Sequence, residues 1–304
     1  MRLPVAWLTL VAGVVVAPAP PARAADGGAA DATPPAVQSC GGWKVAEVAV
    51  RGSMAAALAP ALGDEGSQVA AHYARIFMWD LDLRRDIVAG DRIRVVWRSN
   101  AAGEPEIGAA QYASQRLGRV LRAHRFRGPD DGNASYWDPD GLEVARRLKN
   151  SPLRDYEQIT ALLKDRPTHQ GMDFKTPVGT AVYAPRSGVV SRINWKRSGN
   201  GNCLEVQYDD GVLGKFLHLS AVKVSGRARV SAGQVIALTG NTGHSTAPHL
   251  HYQLNRGTKT LDPVDYHGTV RRKLTGPALA KLKADIVAFE RACGAGNLTL
   301  PRTP

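Results

Sequence analysis

The chain has 304 residues, 44% of them hydrophobic, enough for one large domain or two modest ones, and a formal charge of +12. No run of Lys and Arg interleaved with aromatic residues offers a base-stacking surface, which argues against a nucleic-acid partner. A basic balance otherwise draws a protein to anionic lipid or an anionic cell wall, or reflects nothing more than a basic proteome.

Residues 1–24 read as a signal peptide. Arg2 gives a short positive start, Leu3 to Val16 an apolar stretch, and Ala22-Arg23-Ala24 a small-x-small cleavage site. That stretch is too short, and too proline-rich at its end (Pro18, Pro20, Pro21), to span a membrane; an uncleaved anchor is the alternative. No later segment approaches spanning length. The expectation is an exported protein, periplasmic or extracellular, with no integral membrane span after cleavage. Loss of Arg2 and Arg23 leaves it at +10. Residues 25–39, rich in Ala, Gly, Pro and Asp, read as a disordered linker.

Residues 40–140 have the pattern of a small α+β domain. Apolar and polar residues roughly alternate from Trp43 to Val50, as in a strand. Ser53 is placed to cap a helix through Leu62, and Ser67 another through Met78. Ile93, Val95 and Trp97 alternate with arginines, which predicts a half-buried strand. Two more strands are predicted near 106–114 and 119–126. Residues 141–164 read as a helical connector whose Arg and Lys residues face solvent.

Over residues 165–270 the texture changes. Short β-branched runs at 181–183, 189–193, 204–208, 214–217, 235–238 and 249–254 are separated by turn residues every ten positions or so. That spacing predicts a mostly antiparallel sheet rather than βαβ units. In the last segment, 271–304, a helix starts at Thr275 with Pro277 in its first turn. Leu279, Leu282, Ile286 and Phe289 keep a three-four spacing that points to core packing. Of three cysteines, Cys40 and Cys293 bracket the mature part and are placed to bridge in an oxidising compartment, whereas Cys203 sits in a strand-like run as a small buried side chain.

The chemistry concentrates in two short motifs. His249-Leu250-His251 puts two imidazoles on one side of an extended strand, since side-chain direction repeats every two residues. His169 and Asp173, in His169-Gln170-Gly171-Met172-Asp173, also share a face. A hydrolytic zinc takes three protein ligands and leaves a fourth position for water, and the site further needs a proton acceptor and an oxyanion donor. His169, Asp173, His218, His249 and His251 supply both sets. Residue chemistry alone does not say which of His249 and His251 binds the metal. Either motif taken singly is weak; their joint occurrence, with His218 between them, is specific. His72, His124, His244 and His267 lack ligand-like spacing and read as core or surface histidines, though His244, on the loop before His249, is placed to touch substrate.

The motif at 169–173, Tyr183-Ala184-Pro185-Arg186-Ser187-Gly188, Leu217-His218-Leu219-Ser220, Gly240-Asn241-Thr242-Gly243 and Pro248-His249-Leu250-His251 together resemble the lysostaphin and LytM type of zinc murein endopeptidase over about residues 165–266. The resemblance implies a LytM-like peptidase domain with Zn2+ held by His169, Asp173 and His251, and with His218 and His249 as the catalytic imidazoles. The implied substrate is peptidoglycan, cut in its stems or cross-links, and the implied location is at the cell wall. Ile76-Phe77-Met78-Trp79-Asp80, Gly90-Asp91-Arg92 and Tyr136-Trp137-Asp138 resemble the domain that precedes the peptidase in Gram-negative LytM-like endopeptidases of cell-shape maintenance. That second resemblance implies intramolecular inhibition by residues 40–140.

There are departures from the pattern. Only fifteen residues separate Ser151-Pro152-Leu153 from His169, including the helix-like 156–164, so one wall of the groove differs from that of relatives. Ala247 stands where Gly is common. An alternative function is a catalytically inactive LytM-like scaffold that activates a cell-wall amidase, and a protease of Gly-rich extracellular protein is a third.

Overall fold

The computed structural model describes residues 37–101, 103–163, 165–293 and 298–300; the expected signal peptide and nearly all of the expected linker lie outside them. From residue 38 onward, six strands pair antiparallel in chain order: Gln38–Cys40, Trp43–Ala49, Arg92–Ser99, Pro105–Ser114, Arg119–Phe126 and Ser135–Trp137. Alternation turns Ile93, Val95 and Trp97 to the side where Val69, Tyr73, Ile76 and Phe77 of the helix Gly66–Phe77 pack. Ser53 caps the helix Met54–Ala61 by accepting the amide of Ala56. Ser67, by contrast, does not cap the second helix, which begins at Gly66. A Cβ at Gly66 would run into the Ala59 carbonyl, so the close helix crossing fixes the start there.

The other face of this sheet carries Val45, Val96 and Ala109 and needs an apolar cover. The last helix, Gly276–Ala292, supplies it. Leu282 and Ile286 pack with Phe126, Trp137 and Leu274, and Phe289 meets Trp43 edge-on at 5.3 Å. The sequence reading sets 271–304 apart as a tail; in space its helix completes the layer built on residues 40–140. Cys40 and Cys293 are joined in a disulfide. Cys203 is free and buried.

A second sheet runs in the order Arg229–Val230, Gly188–Ile193, Asn202–Tyr208, Leu213–Leu219, His249–Arg256, Met172–Lys175, Gln158–Ala161, with every neighbour antiparallel. Its apolar face shares one core with a three-stranded sheet of Ala181–Tyr183, Val235–Leu238 and Ala221–Val222. The architecture is α+β, with mostly antiparallel sheet in the second part, as read from the sequence.

The helical connector is not there: residues 141–163 hold no helix. Arg147–Leu148 pairs with Thr269–Val270, and Gln158–Ala161 adds an edge strand to Met172–Lys175. Pro152 disfavours helical backbone at Ser151. Ile159 and Ala161 alternate inward, a period-two signal hidden by the surrounding charges. Nor does every arginine face solvent. Arg147 and Arg272 both bond to Glu143, which is fully buried and held at a pKa of about 2, because these hydrogen bonds outweigh the upward push of burial.

Candidate active site

Antiparallel register sets His251 opposite Asp173 on one side and opposite Leu217 on the other. Cross-strand partners share a face, so His249, His251 and Asp173 point one way while Met172, Phe174, Leu250 and Tyr252 are buried the other way. His169 lies in the turn leading to Met172–Lys175. Gly171 is what lets that turn come close, for a Cβ there would sit 2.5 Å from the Tyr252 carbonyl oxygen and 2.8 Å from the His251 ring.

His218 raises a problem of parity. It follows Leu217, which faces His251, so a regular strand would send its side chain into the core beside Phe216. One extra residue at Leu217-His218, opposite the register shift between Asn202 and Leu204, forms a bulge. With φ of 62° at His218, the side chain turns back to the histidine face.

The ring centroids of His218 and His249 are 4.7 Å apart, and those of His169 and His251 5.2 Å apart. Asp173 Oδ1 lies 2.8 Å from His251 Nδ1, and Oδ2 lies 3.0 Å from His169 Nε2. Ligand atoms of His169, Asp173 and His251 all fall within 4.8 Å of one another. His169 Nδ1 donates to the Leu162 carbonyl at 2.8 Å, which leaves Nε2 as the lone-pair nitrogen. That Nε2 is buried and has no hydrogen-bond partner among the described residues. A buried acceptor aimed at a carboxylate is costly alone and is satisfied by a cation between them. The donor set of two imidazoles and one carboxylate fits Zn2+.

Burial pushes the Asp173 carboxyl up, but His169 and His251 outweigh it and hold it well below the usual carboxylate range. Burial pulls His169 down, and Asp173 more than restores it. His218 is lowered by burial, opposed by its bond to the Thr242 carbonyl at 2.9 Å, and lowered further by His249 and His251. Since a carbonyl only accepts, Nδ1 of His218 carries the proton and Nε2 is free. His249 Nδ1 likewise faces the Ala247 carbonyl at 2.8 Å, with Ser245 Oγ at 3.1 Å.

All five side chains line one cavity of about 1280 Å3, together with His72 and Arg75 from the first part of the chain. The carbonyls of Leu162 and Thr242 and the side chain of Arg166, which donates to Asp173 at 3.1 Å, were not legible beforehand. Backbone acceptors carry no sequence signature, and Arg166 belongs to no motif. His72 and His244 line the cavity as well.

Residues 167–263 match the sequence pattern of peptidase family M23. The chain carries an M23 peptidase domain. Peptidoglycan DD-endopeptidase ShyC of Vibrio cholerae is 30% identical over 236 residues, 72% of this chain and 53% of that protein. ShyA of the same organism is 31% identical over 57% of this chain and 42% of its own. Lysostaphin of Staphylococcus simulans is 43% identical over 86 residues, 28% of this chain and 17% of that one. The chain spans about half the length of the Vibrio relatives. Among solved structures, Helicobacter pylori Csd3 is 21% identical over 82% of this chain and 67% of that one, with a TM-score of 0.38.

Proposed function

We propose that this chain is an exported zinc metalloendopeptidase that hydrolyses peptide bonds in peptidoglycan stems or cross-links. One observation carries the reading: two imidazoles and a carboxylate converge on a point beside two further imidazoles, inside the M23 domain. His169 through Nε2, His251 through Nδ1, and Asp173 would hold the ion. Zn2+ bound there supplies Lewis acidity, lowering the pKa of water to roughly 7 and polarising the carbonyl under attack. His218, kept neutral by burial, has Nε2 free to take a proton from water. His249, anchored through Nδ1 to Ala247, steadies the developing oxyanion. The named relatives act on peptidoglycan, which supports the same substrate class. An inactive scaffold is disfavoured, because all five residues of the site are present. The Cys40–Cys293 disulfide supports an oxidising compartment, hence export. No helix among the described residues is long and apolar enough to cross a membrane.

Digestion of cross-linked muropeptides, followed by mass spectrometry, tests the proposal. Dimers are expected to fall to monomers, with the activity lost to a chelator and restored by Zn2+. Intact dimers after digestion with the zinc-loaded protein would reject it. Intramolecular inhibition by residues 40–140 is supported by the walls that His72 and Arg75 lend to the cavity. A chain beginning near Leu148 retains the second core and is expected to cleave faster than the full mature chain; equal or slower cleavage removes the idea.

A further inference from the structure

Arg75 lies on the last turn of the helix Gly66–Phe77, and Arg166 three residues before His169; both line the cavity that holds the five site residues. Arg166 Nη2 donates to Asp173 Oδ2 at 3.1 Å, the same oxygen that faces His169 Nε2. Arg75 is half-buried yet makes no hydrogen bond or ion pair among the described residues. The carboxylate that acts on it, Asp165, already accepts the Leu162 amide at 2.6 Å. Burial, and then the charge of Arg166, lower the Arg75 pKa, with Asp165 opposing them. Arg125 and Lys175, which line the same cavity, are neutralised by Glu106 and by Glu104 with Glu157.

We propose that Arg75 and Arg166 form a subsite for a free carboxylate on the substrate peptide, close to the scissile bond. The proposal rests on the peptidase reading and deepens it. A cation held by Asp173 competes with Arg166 for one carboxylate oxygen, leaving that guanidinium to take another anion. Planar guanidinium forks match a carboxylate in two-point geometry, and two of them on one anion relieve their own repulsion. A neutral glycyl bridge gives neither arginine a partner. A cross-link whose residue beside the cut bond keeps its carboxylate satisfies both. The first part of the chain thus supplies half of a specificity element to the M23 domain.

The test uses the full mature chain, zinc-loaded, and two synthetic cross-linked peptides identical except for a carboxylate or a carboxamide on the residue after the scissile bond. Wild type is expected to favour the carboxylate by roughly tenfold to a hundredfold in kcat/KM, the usual range for one hydrogen-bonded charge. In Arg75→Gln that ratio is expected to collapse toward one through KM, while zinc per chain stays at the wild-type value. Arg75→Lys should recover part of the ratio. Arg166 is left intact because it touches a metal ligand. A wild-type ratio of one, or an unchanged ratio in Arg75→Gln, overturns the subsite. If Arg75→Gln does not fold, the wild-type ratio and its decline with salt still decide. If neither the wild type nor the chain beginning near Leu148 cleaves either peptide, the peptidase reading is overturned instead.

Discussion

At His251 and His249 the period of two in an extended strand already puts both imidazoles on one face, and the structure keeps them there. Their neighbour His218 is different: its face depends on one bulged residue and one left-handed backbone angle, neither of which alternation can foretell. The division of roles among these histidines yields a direct prediction. His251→Ala is expected to lose the metal, whereas His249→Ala should keep it and lose roughly 10²–10⁴ of the rate. Gly171→Ala should also lower metal content, since its added methyl group presses on the His251 ring. Metal analysis beside turnover checks all three. Equal metal loss in the two histidine variants would show that the roles are wrongly divided.

Among the elements, the strand His249–Arg256 is the hub, pairing with Leu213–Leu219, Met172–Lys175 and Lys259–Leu261. Its own alternation was readable; the strand Gln158–Ala161 two places away was not. Four residues amid charges carry too little pattern to outvote a helix, and only pairing with Met172–Lys175 makes them extended. Elements also bury titratable groups. His124, on the strand Arg119–Phe126, and His267, ending the helix Pro263–His267, are both pushed down to about 4 by burial. Unfolding returns them to near 6.5, so between pH 6.5 and 4 the unfolded chain binds more protons. Their contribution to stability is full above pH 6.5 and is lost as pH falls toward 4. Thermal melting across that range is expected to show a drop on the order of a few kcal/mol, lessened in His124→Gln. A flat profile from pH 7 to 4.5 would contradict it.

On the scale of the whole molecule, the disulfide ties positions 253 residues apart and fastens the last helix to the first strand. Constraining the unfolded chain over such a loop is worth about 5 kcal/mol in the chain-entropy picture. Reduction is therefore expected to lower the melting temperature of the layer built on residues 40–140. Zinc affinity should barely change, because neither cysteine belongs to the core beneath the site. Melting unaltered by reductant would mean that the staple adds nothing. Position and compartment were compatible with a Cys40–Cys293 bridge without deciding it, and the face its helix covers carried no local signal.

Local properties were settled by the amino-acid order alone: the antiparallel character after residue 165, the helix cap at Ser53, the helix start at Thr275, and the donor types at His169, Asp173, His218, His249 and His251. Periodicity, turn chemistry and ligand chemistry all act within a few residues, so they are written in short stretches. Tertiary structure alone decided the face of His218, the extended form of 158–161, the return of the last helix to the first sheet, and the placing of Arg75 and Arg166 in the walls of one cavity with the site. Each of these turns on register or packing between segments far apart in the chain, where no local pattern reaches.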